Sequence, residues 1–271
     1  MTLIAGFISR DGLLICADME EVGVGASKRK INKLFYRAFQ GITPNIHIVF
    51  TGAGSSAVID NAIKRIDDAI TKQAHDISNE NAAQDLIDST LRTVYEKYVW
   101  PNLRVDHDVK LVVAYSHGFE QRVWITHDIV TTPEVRYVCA GIGEDLASYF
   151  ADRLYHPHYS EQQMVRLAAF IFKEVKANVS GVGQGTQMWM LRRNGTSLFY
   201  NWREIELIER TLPPFETTLL KYGWEITGPT IFPQLPFILD VPYVEVCKES
   251  NGALQGRGFY KPKEVKKLTF E

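Results

Sequence analysis

The sequence predicts an α+β fold in which two antiparallel sheets lie between two helical layers, a four-layer αββα sandwich, followed by a C-terminal extension. Two observations predict it. Apolar segments with the periods of strands and of helices come in blocks, in the order strands, two helices, strands, two helices, strands. After about residue 202, prolines interrupt the apolar segments. A layered sandwich buries the apolar face of every block against another layer.

The first block consists of short apolar strands. TLIAGFIS and GLLICAD are joined at Asp11-Gly12, a dipeptide that favours a tight hairpin turn. KINKLFYRAF and NIHIVFTG have the same character and form a second pair. We therefore expect two pairs of neighbouring strands before the first helix.

The next block has the period of amphipathic helices. Val58, Ala62, Ile66 and Ile70 recur at every fourth position, which predicts a helix that begins at about residue 55. A second apolar stripe runs from 83 to 98 and ends before Pro101, a residue that cannot continue a helix.

The same order of blocks is repeated in the second half. The predicted elements are the strands VKLVVAYS, QRVWITHD and RYVCAGIG, the helices EDLASYFADRL and SEQQMVRLAAFIFKEVKANV, and the closing strands TQMWMLRR and SLFYNW. Ser160 is the predicted N-cap of the longer helix, and Asn194-Gly195 is the predicted hairpin turn.

We predict two units, a sandwich domain over residues 2–204 and a packed C-terminal extension over residues 205–271. Prolines in the extension exclude central strands and long helices. It is also rich in the large apolar residues that a disordered tail would lack. We therefore expect it to run extended over the sandwich, with Trp224, Phe232 and Phe237 as apolar anchors.

The composition narrows the possible classes of protein. Hydrophobic residues make up 45% of the chain, charged residues 23%, and the formal net charge is -2, which predicts neither a nucleic-acid nor a membrane partner. Cys16, Cys139 and Cys247 are odd in number and far apart, which is typical of a reducing compartment. No signal peptide or membrane-spanning segment is recognisable. We therefore expect a cytoplasmic protein that binds no metal and no cofactor.

Thr2 is a candidate nucleophile. Methionine aminopeptidase usually removes an initiator methionine that precedes a small residue, so we expect the mature chain to begin at Thr2. Its α-amine, with a reference pKa of about 7.7–8.0, could then accept the proton of its own hydroxyl. Both groups must be fixed near the scissile carbonyl, and a strand that starts at residue 2 would fix them. Taken alone, Met-Thr is a common beginning, and Thr2 could simply start an edge strand.

Five segments, taken in order, resemble proteasome β-type subunits and their bacterial and archaeal relatives, which are N-terminal-nucleophile hydrolases. They are TLIAGFISRDGLLICADMEE, ASKRKINKLF, NIHIVFTGAGSSA, VCAGIGEDLASYFADRL and SEQQMVRLAAFIFKEVKANVSGVGQGTQMWML. The resemblance covers roughly residues 2–202 and implies the same four-layer sandwich. The ordered set of segments carries the resemblance, since no single motif is specific.

The resemblance also implies a site. Asp18 follows Thr2 by 16 residues and Lys33 follows it by 31, which matches the family's aspartate and lysine. Lys33 would favour the alkoxide and keep the amine neutral, and Asp18 would orient Lys33. Gly52 matches the turn whose N–H donates to the developing oxyanion. Ser180 matches the family's serine near the threonine amine.

The sequence departs from the family at two positions around the amine. The serine of the turn before the third helix falls at Ile142, and the aspartate three residues before Ser180 falls at Ala177. Lys30 is the alternative candidate to Lys33 if the register assigned to this segment is shifted. The surroundings of the amine are therefore expected to differ from those of the family.

The resemblance implies a threonine-type peptidase or amidohydrolase that acts on peptides or unfolded proteins. It further implies a homo-oligomer, either a ring or an open ring, with an ATP-dependent unfoldase as a possible partner. Two alternatives stay open. One is a non-catalytic ring or scaffold subunit, which the changes at Ile142 and Ala177 favour. The other is a sequence-specific transpeptidase of the same fold.

Overall fold

The computed structural model describes residues 2–22, 28–39, 45–77, 79–102 and 109–212. The architecture below refers to these residues. The predicted anchors Trp224, Phe232 and Phe237, and most of the predicted extension, lie outside them.

One sheet contains the beginning of the chain in its interior. Its strands are β1 (Leu3–Ile8), β2 (Gly12–Asp18), β10 (Tyr137–Gly141), β11 (Thr186–Arg192) and β12 (Ser197–Tyr200). They are arranged in the order β10-β1-β2-β11-β12, and every neighbouring pair is antiparallel. The strand that follows Thr2 is therefore covered on both edges.

The second sheet contains the central segments of the chain. Its strands are β5 (Phe35–Phe39), β6 (Ile46–Ala53), β7 (Lys110–His117), β8 (Glu120–His127) and β9 (Val130–Glu134). They follow one another in chain order as an antiparallel meander. A short ribbon of β3 (Glu20–Val22) and β4 (Lys28–Lys30) connects the two sheets along the chain.

Helices cover the outer faces of the two sheets. They are α1 (Ser56–Gln73), α2 (Glu80–Val94), α3 (Glu144–Leu154), α4 (Glu161–Asn178) and α5 (Trp202–Thr211). A 3-10 turn (Ala74–Asp76) follows α1. A π-helical turn (Tyr95–Val99) and a 3-10 turn (Trp100–Asn102) follow α2 and continue across Pro101, the predicted stop. The predicted N-cap Ser160 forms a reciprocal capping box with Gln163.

The side chains of each strand point alternately to its two faces, and they contribute to three apolar cores in the described residues. Leu3 and Phe7 face α3 and α4, whereas Ile4 faces the second sheet. In the same way, Ile48 faces α1 and α2, and Val49 faces the first sheet. Both faces of each sheet are thus buried, which explains why the strand sequences are almost continuously apolar. The predicted αββα sandwich is confirmed.

The end of the sandwich differs from the prediction. SLFYNW was expected to be a strand throughout, but β12 ends at Tyr200 because Asn201 caps α5 through a capping box with Glu204. The boundary predicted between residues 204 and 205 falls inside this helix. Ile205 is buried in the core beneath α5, and the Lys173 ammonium donates to the carbonyl of Leu212 at 2.6 Å. The folded unit therefore continues to at least Leu212.

The segment before β5 also differs from the strand expected there. Residues 31–34 are not in a strand. The N–H of Ile31 donates to the Met19 carbonyl, and the N–H of Leu34 donates to the Asn32 side chain at 3.0 Å. Because a local side chain takes the place of a ladder partner, the strand is interrupted there. Lys33 lies in this interruption.

Candidate active site

Thr2 lies directly before β1 and is 5% exposed. Its carbonyl accepts a hydrogen bond from the N–H of Ile142 at 2.9 Å. Gly141 makes this close approach possible, since a Cβ there would lie 2.3 Å from the Thr2 carbonyl oxygen. The φ of Gly141 is also +101°, a value that favours glycine. The end of β10 thus fixes the backbone of Thr2.

Asp18 is the last residue of β2 and is fully buried. One carboxylate oxygen accepts hydrogen bonds from the Thr2 hydroxyl at 2.5 Å and from the N–H of Leu3 at 3.1 Å. The other accepts from the N–H groups of Glu20 at 3.2 Å and Gly183 at 3.1 Å. These hydrogen bonds offset the free-energy cost of burying the carboxylate, and they fix its orientation.

The ammonium of Lys33 is the third member of the cluster and is 8% exposed as a residue. It donates to the Asp18 carboxylate at 2.7 Å, to the Glu20 carbonyl at 2.5 Å and to the Thr2 hydroxyl. All three donors of the ammonium are therefore used. Burial lowers the pKa of Lys33 below its ordinary value, and the attraction of Asp18 opposes that shift.

These contacts polarise the Thr2 hydroxyl. Its oxygen accepts a charged hydrogen bond from Lys33 while its proton is directed at Asp18. A cation that donates to an oxygen stabilises negative charge on it, and burial strengthens that effect. The arrangement can therefore support a nucleophilic oxygen at residue 2.

Lys30, the rival candidate, lies elsewhere. It is exposed at the end of β4, and its ammonium lies 3.0 Å from the centroid of the Trp202 ring. This is a cation–π contact with α5. Of the two lysines that the sequence left open, Lys33 is the one that contacts Thr2 and Asp18.

A cavity of about 300 Å³ opens beside Thr2. It is lined by Thr2, Glu20, Glu21, Ile31, Asn32, Lys33, Phe35, Gly52, Gly54, Ser55, Ser56, Ile59 and Asp60. Gly52 lies in its wall near the end of β6 and has to be a glycine for packing reasons. A Cβ there would lie 2.6 Å from Cγ2 of Ile59 and 2.9 Å from Cδ2 of Leu111.

Within the ranges given above, no group of three or more His, Cys, Asp or Glu side chains is arranged to hold a metal ion. In the same part of the chain, no helix combines the length and the apolar character that crossing a bilayer requires.

The sequence profile of the proteasome subunit family matches residues 2–191, about 70% of the chain. The chain belongs to the proteasome subunit family. Its described fold is accordingly the proteasome-like fold of N-terminal-nucleophile proteins. No curated protein sequence matches the chain significantly.

Solved structures of Anbu proteins share this fold. A Gly-1 mutant of Anbu from Hyphomicrobium sp. strain MC1 superposes with a TM-score of 0.68 at 12% identity, over 84% of this chain and 100% of the other. Anbu from Yersinia bercovieri, described as an ancestral β-subunit, gives 0.65 at 13% identity over 84% and 100%. The helical assembly of the Anbu complex from Pseudomonas aeruginosa gives 0.64 at 15% identity over 84% and 98%. At these identities the likeness concerns the fold alone.

Three further positions were expected near the amine of Thr2 from the resemblance to the family. Ser180 is exposed in the turn after α4, and no hydrogen bond joins it to Thr2 within the described residues. Ala177 is exposed in the last turn of α4. Ile142 is 51% exposed and contacts Thr2 through its backbone N–H. The structure thus brings Thr2, Asp18 and Lys33 together, places Gly52 in the lining of the adjacent cavity, and leaves Ser180 outside that cluster.

Sequence reasoning missed several backbone groups of the site. The N–H of Gly183 and the carbonyl of Glu20 both contact the cluster, and Gly141 leaves room for Thr2. The run GVGQG at residues 181–185 is the signal that could have indicated the first of these, because closely spaced glycines allow a backbone to approach another group. The role of Glu20 depends on its main chain and has no sequence signal.

Proposed function

We propose that the protein is a threonine-type peptidase or amidohydrolase that uses Thr2 as its nucleophile after removal of Met1. One observation carries the proposal: the Thr2 hydroxyl is held between the Lys33 ammonium and the Asp18 carboxylate at the wall of a cavity. A threonine that only began an edge strand would not need two buried charges on its hydroxyl, because burying charges is costly.

In the proposed reaction the free α-amine of Thr2 is the base. It accepts the hydroxyl proton, directly or through a water, as Oγ1 attacks the scissile carbonyl carbon. The electron pair of the C=O bond moves onto its oxygen and returns as the C–N bond breaks, and the leaving amine takes the proton from the α-ammonium. Water then hydrolyses the ester left on Thr2 with help from the same base.

The other site residues have supporting roles in this proposal. Lys33 stabilises the charge that develops on Oγ1, and Asp18 orients Lys33. The N–H of Gly52 donates to the oxyanion from the cavity wall. Ser180 is proposed to contact the amine once Met1 is removed. No cofactor is needed for these steps.

We further propose that the substrate is a peptide or an unfolded protein and that the chain works as a homo-oligomer, as a ring or an open ring. The small exposed fraction of Thr2 supports an extended substrate, since a folded protein could not bring a carbonyl to it. The helical assembly described for the Pseudomonas aeruginosa relative supports association between copies.

An ATP-dependent unfoldase would supply unfolded substrates. We propose the cytoplasm as the location. We also propose that residues 205–271 form an extension packed on the sandwich, whose first residues complete α5.

Intact mass spectrometry before and after treatment with a peptide epoxyketone tests the proposed reaction. This electrophile closes a ring that uses both the hydroxyl and the α-amine of an N-terminal threonine. We expect the mass of the chain without Met1, one added probe located at Thr2, and no addition to Thr2→Ala. Retained Met1 on protein that hydrolyses a fluorogenic peptide would overturn the proposed mechanism.

The same sample separates the alternatives. Removal of Met1 without labelling and without peptide hydrolysis would indicate a non-catalytic scaffold subunit, which the changes at Ile142 and Ala177 favour. A transpeptidase would be recognised by transfer of the acyl group to an added amine such as glycine amide. Hydrolysis alone, with no ligated product, supports the peptidase.

A further inference from the structure

Helix α5 contacts the loop that orients Asp18, although it lies beyond the residues that match the family. We propose that Glu209 of α5 is a positioning residue of the site, which it serves by holding a strained turn at Gln184 in place. The inference rests on the proposed function for its catalytic consequence, but its structural part can be tested separately. Three contacts support it. The turn contacts Asp18, α5 contacts the residues beside the turn, and α5 also contacts α4.

The turn contains a residue in an unusual conformation. Gln184 has a φ of +66°, in the left-handed region that side chains with a Cβ rarely adopt. The N–H of Gly185 donates to the carbonyl of Gly183 at 2.9 Å across it, which makes a three-residue turn. Such conformations persist only when the surrounding structure holds them, and they concentrate at functional sites.

The turn holds Asp18 through the backbone. The N–H of Gly183 donates to the Asp18 carboxylate at 3.1 Å. Met19 follows Asp18 in the chain, and its N–H donates to the carbonyls of Gly183 at 3.3 Å and of Gly185 at 3.0 Å. If the turn relaxed to a conformation with negative φ at Gln184, these carbonyls and the N–H would change direction. The carboxylate that contacts Thr2 and Lys33 would then lose one of its fixed donors.

Contacts from α5 hold the turn in place. The Thr186 hydroxyl, at the beginning of β11, donates to the Glu209 carboxylate at 3.1 Å. The ammonium of Lys176 donates to the same carboxylate at 2.6 and 2.8 Å and to the Thr186 hydroxyl at 3.0 Å. The side chains of Lys176 and Glu209 are 16% and 13% exposed, so this ion pair is well shielded from solvent.

A second contact from α5 explains the glycine at the end of the turn. A Cβ on Gly185 would lie 3.1 Å from Cβ of Trp202 and 3.5 Å from the ammonium of Lys30. The first residue of α5 therefore covers the turn closely. Thr186 is also the register partner of Asp18 in the β2–β11 pair, so a shift of Thr186 is transmitted directly to Asp18.

Hydrogen–deuterium exchange of a Thr2→Ala chain tests the structural part, because that chain needs no activity. We expect Glu209→Gln to raise exchange of the Met19 and Gly183 amides by at least tenfold. Gln184→Gly, added to Glu209→Gln, should restore slow exchange, because glycine adopts a positive φ without strain. Arg210→Gln, which removes an exposed ion pair of the same helix, is the matched control and should leave both amides unchanged.

Three results would overturn the inference: unchanged exchange in Glu209→Gln, an equal rise in Arg210→Gln, or no recovery with Gln184→Gly. If Glu209→Gln fails to fold, Thr186→Val replaces it, since valine has nearly the same shape and replaces the hydroxyl with a methyl group. On active protein, Glu209→Gln should lower kcat about 10- to 100-fold with KM unchanged, the size of effect that a small misplacement of a catalytic group produces. If the unmodified chain hydrolyses nothing, the proposed function fails, and the exchange data still decide the role of Glu209.

Discussion

The hydroxyl of Thr2 lies 2.5 Å from a carboxylate oxygen of Asp18, sixteen residues later in the chain. The β1–β2 hairpin produces this proximity, because Ile4 pairs with Ala17 and the start of β1 therefore lies beside the end of β2. Lys33 then reaches both groups from an interruption between strands. A local hairpin thus places two members of the cluster, and a longer connection brings the third.

Substitutions of Thr2 test the nucleophile. Thr2→Ala should reduce peptide hydrolysis to the uncatalysed background without unfolding the protein, because only a hydroxyl and a methyl are lost and the ion pair between Lys33 and Asp18 remains. Thr2→Ser should keep part of the activity, since serine retains the hydroxyl and amine but loses the methyl that restrains χ1. Both are measured with one fluorogenic peptide and intact mass spectrometry. Wild-type hydrolysis by Thr2→Ala would place the nucleophile elsewhere.

Lys33→Ala should lower kcat by at least about 100-fold, the size of a typical contribution from acid–base assistance. The physical reason is that the charged hydrogen bond to the Thr2 hydroxyl is lost. Lys72→Ala is the matched control, because Lys72 is an exposed lysine in the last turn of α1, away from the described cluster. Equal activity in the two variants contradicts the role proposed for Lys33.

Much of the fold could be predicted because it depends on periodicity. The shift from strand-like to helical spacing near Ser55 and the N-cap Ser160 are local signals, and the helices α1 and α4 begin within a residue of them. The same holds for α3, whose bounds Glu144–Leu154 are those of the predicted segment. Because the strands are buried on both faces, their apolar character indicated two packed sheets.

The parts that were missed depend on contacts distant in sequence. The strand predicted over SLFYNW includes the start of α5, because Asn201, the N-cap, follows an apolar segment without any proline or glycine. The spacing of Thr2, Asp18 and Lys33 resembled the family, but no sequence signal could indicate that Gly183 also contacts Asp18. That contact depends on how β11 is aligned with β2, which is a property of the folded sheet.

The stability of the chain should depend on pH through Lys33. Burial lowers the pKa of this ammonium below the ordinary value of 10.5. Between the two pKa values the unfolded state binds more protons than the folded state, so the free energy of unfolding should rise as the pH rises towards 10.5. Urea unfolding at a series of pH values measures this slope. Lys33→Met should remove the rise that Lys33 contributes, and Lys72→Met should keep it; identical slopes in the two variants contradict the expectation.

Gly141→Ala should destabilise the protein and inactivate the site together. A Cβ at this position would collide with the Thr2 carbonyl oxygen at 2.3 Å, and the φ of +101° is strained for alanine. We expect a loss of about 1–3 kcal/mol in the free energy of unfolding, measured with urea, and loss of probe labelling at Thr2. Gly195→Ala is the control: it has a φ of +78° but open space around it, so it should cost stability without affecting labelling. Normal labelling of Gly141→Ala would show that the backbone of Thr2 need not be held there.

Removal of residues 213–271 tests the proposed extension at a boundary that the structure supports. The cut follows Leu212, whose carbonyl accepts from Lys173, and so preserves α5 with its ion pair between Glu209 and Lys176. The removed segment is rich in large apolar residues, which stabilise a protein only when they are buried against it or against another copy. We therefore expect the truncated chain to keep its circular dichroism spectrum but to form smaller particles by mass photometry and to accept bulkier peptides. A full-length chain with the predicted anchors Trp224, Phe232 and Phe237 all changed to alanine should behave in the same way, which separates loss of apolar contact from loss of length. If the truncated chain keeps its particle size, its melting temperature and its preference among peptides, the extension is dispensable and the expectation is wrong.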